Sequence, residues 1–368
     1  MTLLSSEGFR PFFLLAGLAA ALLIPLWLVA LAGHAPPGID LYWHAHEMVF
    51  GYISAVLGGF FLTAVPKWTR SETIAGLPLM GLVGLWLLGR VARALLPGPA
   101  AAIDALFLLA LALAIGVPIV RARSTRNALF PLLLLAMGAA DIVGHFAPEL
   151  LLPLTRAAAL SALAIVVIFG GRITPLFTRN ALGDPDAIRP RGWIDDAAIT
   201  AVLMLIPLAL VPVSGWLTAA VAGAGAALNL LRMRGWASLR TLGEPLLWIL
   251  HAGYLWVALA LAAWAVSAVQ PGLVPPSAAL HALTVGCLGT FTLGMMSRVS
   301  LGHTGRTLTA APLVTAAYVA VLLAGLIRPL AAVAPWALHA SGALWAAAFV
   351  LFLLVYIPIL TRPRVKKG

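Results

Sequence analysis

Residues 12–32 read FFLLAGLAAALLIPLWLVALA, a run of 21 residues without a charged side chain. An α-helix rises about 1.5 Å per residue, so this run can cross the roughly 30 Å hydrocarbon core of a bilayer. The whole chain is similar: 62% of its 368 residues are hydrophobic, 10% are charged, and the mean hydropathy is +1.04. Soluble domains are roughly 45–50% apolar, and disordered chains are more polar still. The sequence therefore predicts an all-α polytopic membrane protein.

Apolar runs of this kind recur along the chain, separated by turns rich in proline and glycine such as 271–276. We predict about twelve transmembrane helices, forming a single integral membrane domain over residues 1–368. The longest polar connection between them is 178–193. The predicted helices are 12–32, 44–66, 77–96, 101–120, 128–146, 155–177, 194–212, 214–231, 245–269, 277–297, 311–333 and 335–360.

The net charge of +11 comes from basic residues in short loops, which is not the pattern of a nucleic-acid-binding face. Cytoplasmic loops of membrane proteins carry an excess of Lys and Arg. With the N-terminus in the cytoplasm, 19 of the 23 basic residues fall on the cytoplasmic side. We therefore expect both termini in the cytoplasm and the lipid bilayer as the main partner. The four basic residues on the outer side are Arg90, Arg93, Arg156 and Arg328.

Local spacing repeats in the second, sixth and tenth predicted helices. Pro66 and Pro175 are each followed by Thr after three residues and Arg after four, and His46 and His281 by Gly after five and thirteen. Because these helices lie four apart, the pattern indicates three four-helix arcs around a pseudo-threefold axis. The glycines have a simpler explanation as well, since small residues let membrane helices pack closely.

Five of the eight histidines are predicted at nearly one depth, close to the outer ends of four helices. A single histidine there is more often a hydrogen-bonded anchor than a ligand. Five at one level favour a metal or haem site, because imidazole binds iron and copper well and haem b needs axial imidazoles in an apolar slot. The five are His44, His46, His145, His281 and His339.

Helical geometry adds detail to this layer. At 100° per residue, His44 and His46 point about 200° apart, so they would face two different centres. Asp141 lies four residues before His145, where its carboxylate could orient that imidazole or form a local hydrogen bond. His251 is predicted in the inner half of its helix, as a second ligand, part of a proton path, or a packed core residue.

The arginines on the outer side have two interpretations. Haem propionates at that surface would pair with guanidinium groups, and lipid headgroups would do the same. Candidate propionate partners are Arg90, Arg93 and Arg328.

Six motifs resemble those of the NnrS family and run from one end of the chain to the other. Members of this family are haem- and copper-containing inner-membrane proteins of bacteria that are linked to nitric oxide metabolism and nitrosative stress. The resemblance therefore implies haem b, copper and nitric oxide or a related small molecule. The motifs are GFRPFF (8–13), WHAHEMVFG (43–51), AVPKWT (64–69), GRITPLFTRN (171–180), RVSLGHTGR (298–306) and YIPILTRP (356–363).

A more distant likeness is to subunit I of haem-copper oxidases and nitric oxide reductases, which has twelve helices in three arcs. That likeness implies axial haem ligation by His281 with either His46 or His44, and a propionate contact from Arg328. The copper triad of that superfamily is missing, since helices 6 and 7 hold no histidine. Copper would need His145, His251, His339 or the second histidine of helix 2.

Two functions are consistent with these patterns. The first is a haem protein, with copper, that senses, binds or turns over nitric oxide near the periplasmic face. The alternative is a membrane transporter or scaffold without bound metal, in which the histidines are interface anchors or a proton relay. Binding and enzymatic turnover both remain open at this point, and no redox partner is indicated.

Overall fold

The computed structural model describes residues 2–34, 38–96, 98–184, 186, 188 and 192–365. Within these ranges the chain forms helices and turns, with no β-strand. The helices follow the predicted order. They are α1 Phe9–Leu31, α2 Leu41–Thr69, α3 Leu77–Leu95, α4 Ala102–Arg121, α5 Leu129–Phe146, α6 Leu151–Leu182, α7 Gly192–Leu208, α8 Gly215–Met233, α9 Pro245–Val269, α10 Pro276–His303, α11 Pro312–Ile327 and α12 Trp336–Thr361.

Most helix ends lie close to the predicted ones, but α6 and α10 continue further. They reach Leu182 and His303, where the apolar runs had suggested ends at 177 and 297. Hydropathy misses these ends because the last turns of both helices are polar. The predicted connection 178–193 therefore begins five residues later than expected. Arg189, Arg191, Lys366 and Lys367, which were counted on the cytoplasmic side, lie outside the described residues.

Eleven of these helices are long and apolar enough to cross a membrane. The one remaining helix of the described residues, α7, has 17 residues, which is at the short end of the range for a spanning helix. Large apolar side chains are exposed on the helices, among them Leu77 (87%), Val120 (73%) and Leu354 (62%). Soluble proteins rarely expose so much apolar surface, whereas lipid covers it. The chain is an all-α, multi-pass membrane protein.

Helices α2, α6 and α10 share a distinctive burial. In each, 78% of the most apolar stretch is buried, against 28–67% in the other eight candidate spans. These are the helices whose sequence spacing repeats. Thr69 of α2 and Thr178 of α6 also each donate the hydroxyl to the carbonyl four residues earlier. One strongly buried helix in every four is the pattern that three four-helix arcs would produce. The arrangement of such arcs around a pseudo-threefold axis stays a prediction.

Two of these helices contain a π-helical segment, in which hydrogen bonds span five residues instead of four. The segments are Glu47–Ile53 in α2 and Ala282–Gly289 in α10. His46 and His281 are the residues immediately before them, so the two histidines occupy equivalent backbone positions 235 residues apart. Such segments are uncommon and are frequent at functional sites.

The chain divides into two compact units. The first contains the residues up to Ser161 with 299–307 and 352–368, and the second contains 162–298 and 308–351. The prediction of a single domain over the whole chain stays a prediction. In the first unit, Gly59 lets α1 approach α2, since a Cβ there would lie 2.6 Å from the Phe13 ring. The packing role suggested for this glycine is therefore confirmed. The fully buried phenylalanines of this unit are Phe9, Phe12, Phe13, Phe61, Phe107 and Phe130.

The core of the second unit is built around α9 and α10. Gly253 of α9 lies against the backbone of Phe291, and Gly286 of α10 lies against the ring of Trp256. Tyr254 and Tyr318 are fully buried in the same unit. Close helix contacts of this kind stabilise membrane bundles by van der Waals packing.

Candidate functional site

The imidazole of His46 is fully buried and is surrounded by carboxylates of the first unit. Its Nε2 lies 2.9 Å from Oδ1 of Asp141 and 3.4 Å from Oδ2 of Asp104. Its Nδ1 lies 3.3 Å from Oε1 of Glu47. A neutral imidazole has one N–H only, so it cannot donate to acidic oxygens on both sides of the ring. The carboxylates that the ring N–H cannot reach therefore need another hydrogen-bond donor or positive charge.

Part of that charge comes from Arg90 of α3. Its Nη1 donates to Oε2 of Glu47 at 2.7 Å, and its Nη2 donates to Oδ1 of Asp104. Gly51 and Gly89 leave the space for these groups, because a Cβ at Gly89 would overlap the Asp104 carboxylate. Arg90 thus has two carboxylate partners inside the protein, and its role as a propionate partner stays a prediction.

Asp141 and His145 complete the group from α5. Nε2 of His145 lies 3.4 Å from Oδ1 of Asp141, as their four-residue spacing suggested. The second oxygen of Asp141, Oδ2, is buried and has no hydrogen-bond partner among the described residues. We call His46, Glu47, Arg90, Asp104, Asp141 and His145 the carboxylate–histidine cluster.

Two sets of three donor atoms in this cluster are each close enough together to share a metal ion. His46, Asp141 and His145 each offer one ligand atom within 4.8 Å of the others, and so do His46, Glu47 and Asp104. Imidazole nitrogens combined with carboxylate oxygens are typical ligands of first-row transition metals.

His44 lies in different surroundings from His46. Its ring is half-buried and stacks on Trp27 of α1, with centroids 5.0 Å apart and planes 9° apart. The predicted divergence of the two side chains is therefore seen in the structure. Of the two, it is His46 that enters the carboxylate–histidine cluster.

His281 lies at the start of α10, in the second unit, and its two ring nitrogens have distinct partners. Nδ1 lies 2.6 Å from the carbonyl oxygen of Ser277, and Nε2 lies 3.1 Å from Nη2 of Arg328. A carbonyl only accepts and a guanidinium only donates. The geometry therefore fits a neutral ring with the proton on Nδ1 and the lone pair on Nε2.

The other predicted site residues are not gathered into a metal-binding group by the described part of the structure. His251 is buried between two hydroxyls, with Nε2 2.8 Å from Thr178 and Nδ1 2.9 Å from Ser238. His339 is exposed on α12. Arg93 is half-buried and Arg156 is exposed.

Sequence reasoning missed Asp104 and did not connect Glu47 with His46. Both acids lie inside runs expected to span the membrane, where an ionisable group is costly and usually has a function. That rarity was an available signal, because the chain has only 12 acidic residues and most lie in loops. The contacts of these two acids could not be predicted from the sequence, because the residues of the carboxylate–histidine cluster come from four different helices.

The fold and these buried sites define a multi-pass helical membrane protein with imidazoles held in two distinct polar environments. A family model described as NnrS protein matches residues 3–364, nearly the entire chain. The chain therefore belongs to the NnrS family, and this membership supports a membrane protein related to nitric oxide. A search of curated proteins found no match.

Proposed function

We propose that this protein binds haem b through His281 and acts in the handling of nitric oxide or in resistance to nitrosative stress. The observation that carries the proposal is the state of the His281 ring. A lone pair on Nε2, with Nδ1 held by a backbone carbonyl, is the arrangement in which an imidazole ligates a metal.

Arg328 fits the same proposal. Its guanidinium donates to the nitrogen that would bind iron, so this charge can pair with another anion once a haem ligates His281. Haem propionates are anionic, and charge-assisted hydrogen bonds to arginine are among the strongest in proteins. When bound, the haem would supply an iron centre that takes a small diatomic ligand.

The second axial ligand remains the α2 imidazole proposed from the sequence. Of the two candidates there, His46 has both ring nitrogens within 3.3 Å of carboxylate oxygens, so both nitrogens are directed into the carboxylate–histidine cluster. His44 stacks on Trp27 outside that cluster and is therefore the candidate we propose. Copper stays an expectation from the family resemblance, with His145, His251, His339 or the other α2 histidine as its candidate ligands.

The sequence distribution of basic residues supports placement in the bacterial inner membrane, with both termini cytoplasmic and the His281 end towards the periplasm. Reporter fusions at the C-terminus test this orientation. Activity of a cytoplasmic reporter such as a fluorescent protein supports it, and activity of a periplasmic phosphatase at that end contradicts it.

The haem proposal is tested by absorbance spectroscopy and iron analysis of the protein purified from membranes. We expect a Soret band, stoichiometric iron, and a spectral shift when nitric oxide is added to the reduced protein. The His281→Ala variant should lose at least about tenfold in bound haem, because an axial ligand is removed. His339→Ala, which alters an exposed histidine, is the matched control and should keep its haem.

A wild-type preparation without a Soret band or iron would reject the proposal and favour the transporter or scaffold alternative. Full haem retention by His281→Ala would reject His281 as the ligand.

A further inference from the structure

We propose that the carboxylate–histidine cluster is a second, non-haem site that binds one divalent first-row transition-metal ion. The ligands are Nε2 of His46, Nε2 of His145 and a carboxylate oxygen of Asp141, which lie within 4.8 Å of one another, and Oδ2 of Asp104 lies beside them at 3.4 Å from Nε2 of His46. This site lies within the first unit and does not depend on the haem proposal, which concerns residues of the second unit and His44.

The spacing of the donor atoms carries the proposal. Metal–ligand bonds of about 2.1 Å place neighbouring ligand atoms roughly 3.0 Å apart in octahedral geometry and roughly 3.4 Å apart in tetrahedral geometry. Nε2 of His46 lies 3.4 Å from Oδ2 of Asp104 and 2.9 Å from Oδ1 of Asp141. Nε2 of His145 lies 3.4 Å from the same Asp141 oxygen. The separations within the group of His46, Asp141 and His145 therefore fit three donor atoms around one ion.

The charges point to a divalent cation. Glu47, Asp104 and Asp141 provide three formal negative charges, and Arg90 provides one positive charge, so neutral imidazoles leave a formal charge of −2. Their side chains are at most 5% exposed for the acids and 15% for the arginine. Uncompensated charge is strongly unfavourable in such a place, because burial removes its hydration. A divalent ion brings the cluster to neutrality.

Unpaired polar atoms within the cluster provide an independent observation. Oδ2 of Asp141, Oδ2 of Asp104 and Nε2 of His145 are buried and lack a hydrogen-bond partner in the described part of the chain. The three side chains are only 1–4% exposed. Buried polar groups in proteins are normally satisfied, so three such atoms in one buried cluster indicate a ligand that the protein's own side chains do not supply.

The donor types select the class of metal. Calcium and magnesium prefer all-oxygen ligation, and copper(I) prefers thiolate or thioether sulfur. Two imidazoles with carboxylates suit ions such as Zn²⁺, Fe²⁺, Mn²⁺ and Co²⁺. Arg90 is a positioning residue here, because it holds Glu47 and one oxygen of Asp104 and leaves the other oxygen of Asp104 towards His46.

Co²⁺ serves as the probe, because its visible absorption reports ligand number and type. The full-length protein is stripped of metal with a chelator in detergent and titrated with Co²⁺. We expect one equivalent to bind with ligand-field bands of mixed nitrogen and oxygen coordination. The variants Asp141→Asn and His145→Ala should bind at least about 10–100-fold more weakly, since even outer-shell changes at metal sites have effects of that size.

Asp195→Asn is the matched control, because Asp195 also pairs with an arginine, Arg232, at 2.5 Å, but lies in the second unit. It should bind Co²⁺ as the wild type does. Thermal unfolding separates ligand loss from misfolding: Co²⁺ should raise the midpoint of the wild type and of Asp195→Asn, and leave that of a folded Asp141→Asn unchanged.

A folded wild type that binds no Co²⁺ would overturn the proposal and assign the cluster to protonated imidazoles. Unchanged affinity in both Asp141→Asn and His145→Ala would overturn it as well. The Soret absorbance of the same samples keeps this test apart from the haem proposal, because the cluster variants should retain the haem that His281→Ala loses.

Discussion

The histidines at the starts of α2 and α10 share a backbone position and differ in their electrostatic surroundings. Each immediately precedes a π-helical segment. His46 faces carboxylates on both sides of its ring, whereas His281 faces a backbone carbonyl and the guanidinium of Arg328. The same local conformation therefore presents an imidazole to opposite electrostatic fields.

The difference shows where the chemistry of each site originates. The carboxylates beside His46 come from α4, from α5 and from Glu47 of α2 itself, so they favour a bound cation. The neighbour of His281 is basic, so it favours a group with anionic substituents, such as a haem. The helix positions the ring, and the side chains of other helices decide what the ring can bind.

The largest expected effect on stability comes from a change in the carboxylate–histidine cluster. Replacing Arg90 by Met in metal-free protein leaves the buried carboxylates of Glu47 and Asp104 without their guanidinium partner, and removing one partner of a buried ion pair destabilises proteins by about 3–5 kcal/mol. The free energy of unfolding in a denaturing-detergent titration measures this effect. Arg240→Met, at an exposed ion pair with Asp184, should lower that free energy by no more than about 1 kcal/mol. Equal stability of the two variants would show that Arg90 does not neutralise the cluster.

The close packing of Gly89 against Asp104 in the carboxylate–histidine cluster gives a second test. Gly89→Ala would place a methyl group against the Asp104 carboxylate and should destabilise the protein by about 1–3 kcal/mol, as overpacking does. Gly84 lies on the same helix, and a Cβ added there would meet no atom within 4 Å, so Gly84→Ala should be neutral or stabilise by up to about 1 kcal/mol. Thermal unfolding of both variants checks the difference, and a Gly89→Ala protein as stable as Gly84→Ala would contradict the packing described around Asp104.

The surroundings of His281 are probed by the variant Arg328→Gln, which removes the guanidinium beside this ring. Loss of a charged hydrogen-bond donor is worth about 1.5–3 kcal/mol, so haem should dissociate at least about tenfold faster than from the wild type. Transfer of haem to an excess of apomyoglobin measures the rate. Arg156→Gln changes an exposed arginine and should leave the rate unchanged. Equal rates in the two variants would remove Arg328 from the haem site.

The smallest effect on stability is expected at His44. His44→Phe preserves the stacked contact with Trp27, and aromatic pairs are worth about 0.5–1.5 kcal/mol, so the free energy of unfolding should change by less than about 1 kcal/mol. The haem spectrum is the sensitive readout: axial ligation by His44 requires a changed Soret band in this variant. An unchanged spectrum would return the role of second ligand to His46.

Much of the fold was predictable from the sequence, because apolar length and loop charge suffice to place helices in a bilayer. All twelve helices follow the predicted order, and His44 and His46 diverge as helical geometry required. The π-helical segments could not be predicted, since no local pattern distinguishes 47–53 or 282–289 from ordinary apolar helix.

The candidate site was predictable only in part. Asp141 and His145 lie on one helix, so their four-residue spacing revealed the pair. Asp104 meets His46 only through tertiary packing of separate helices, and spacing along the chain carries no information about that contact. The acidic character of the site therefore emerged from the structure.

The winding of α2 has a consequence for sequence length. A π-helical turn holds an extra residue compared with the α-helix around it. The wider turn absorbs this residue, so His46 keeps nearly the direction it would have in a regular helix that is one residue shorter. Deleting one residue from Glu47–Ile53 would let regular winding resume with the imidazole still directed at the carboxylate–histidine cluster. The same deletion in the regular stretch Ser54–Thr69 would rotate the two parts of the helix by about 100° relative to each other. The wide turn is thus the place where α2 tolerates a change of length, and the same reasoning extends to His281 and Ala282–Gly289.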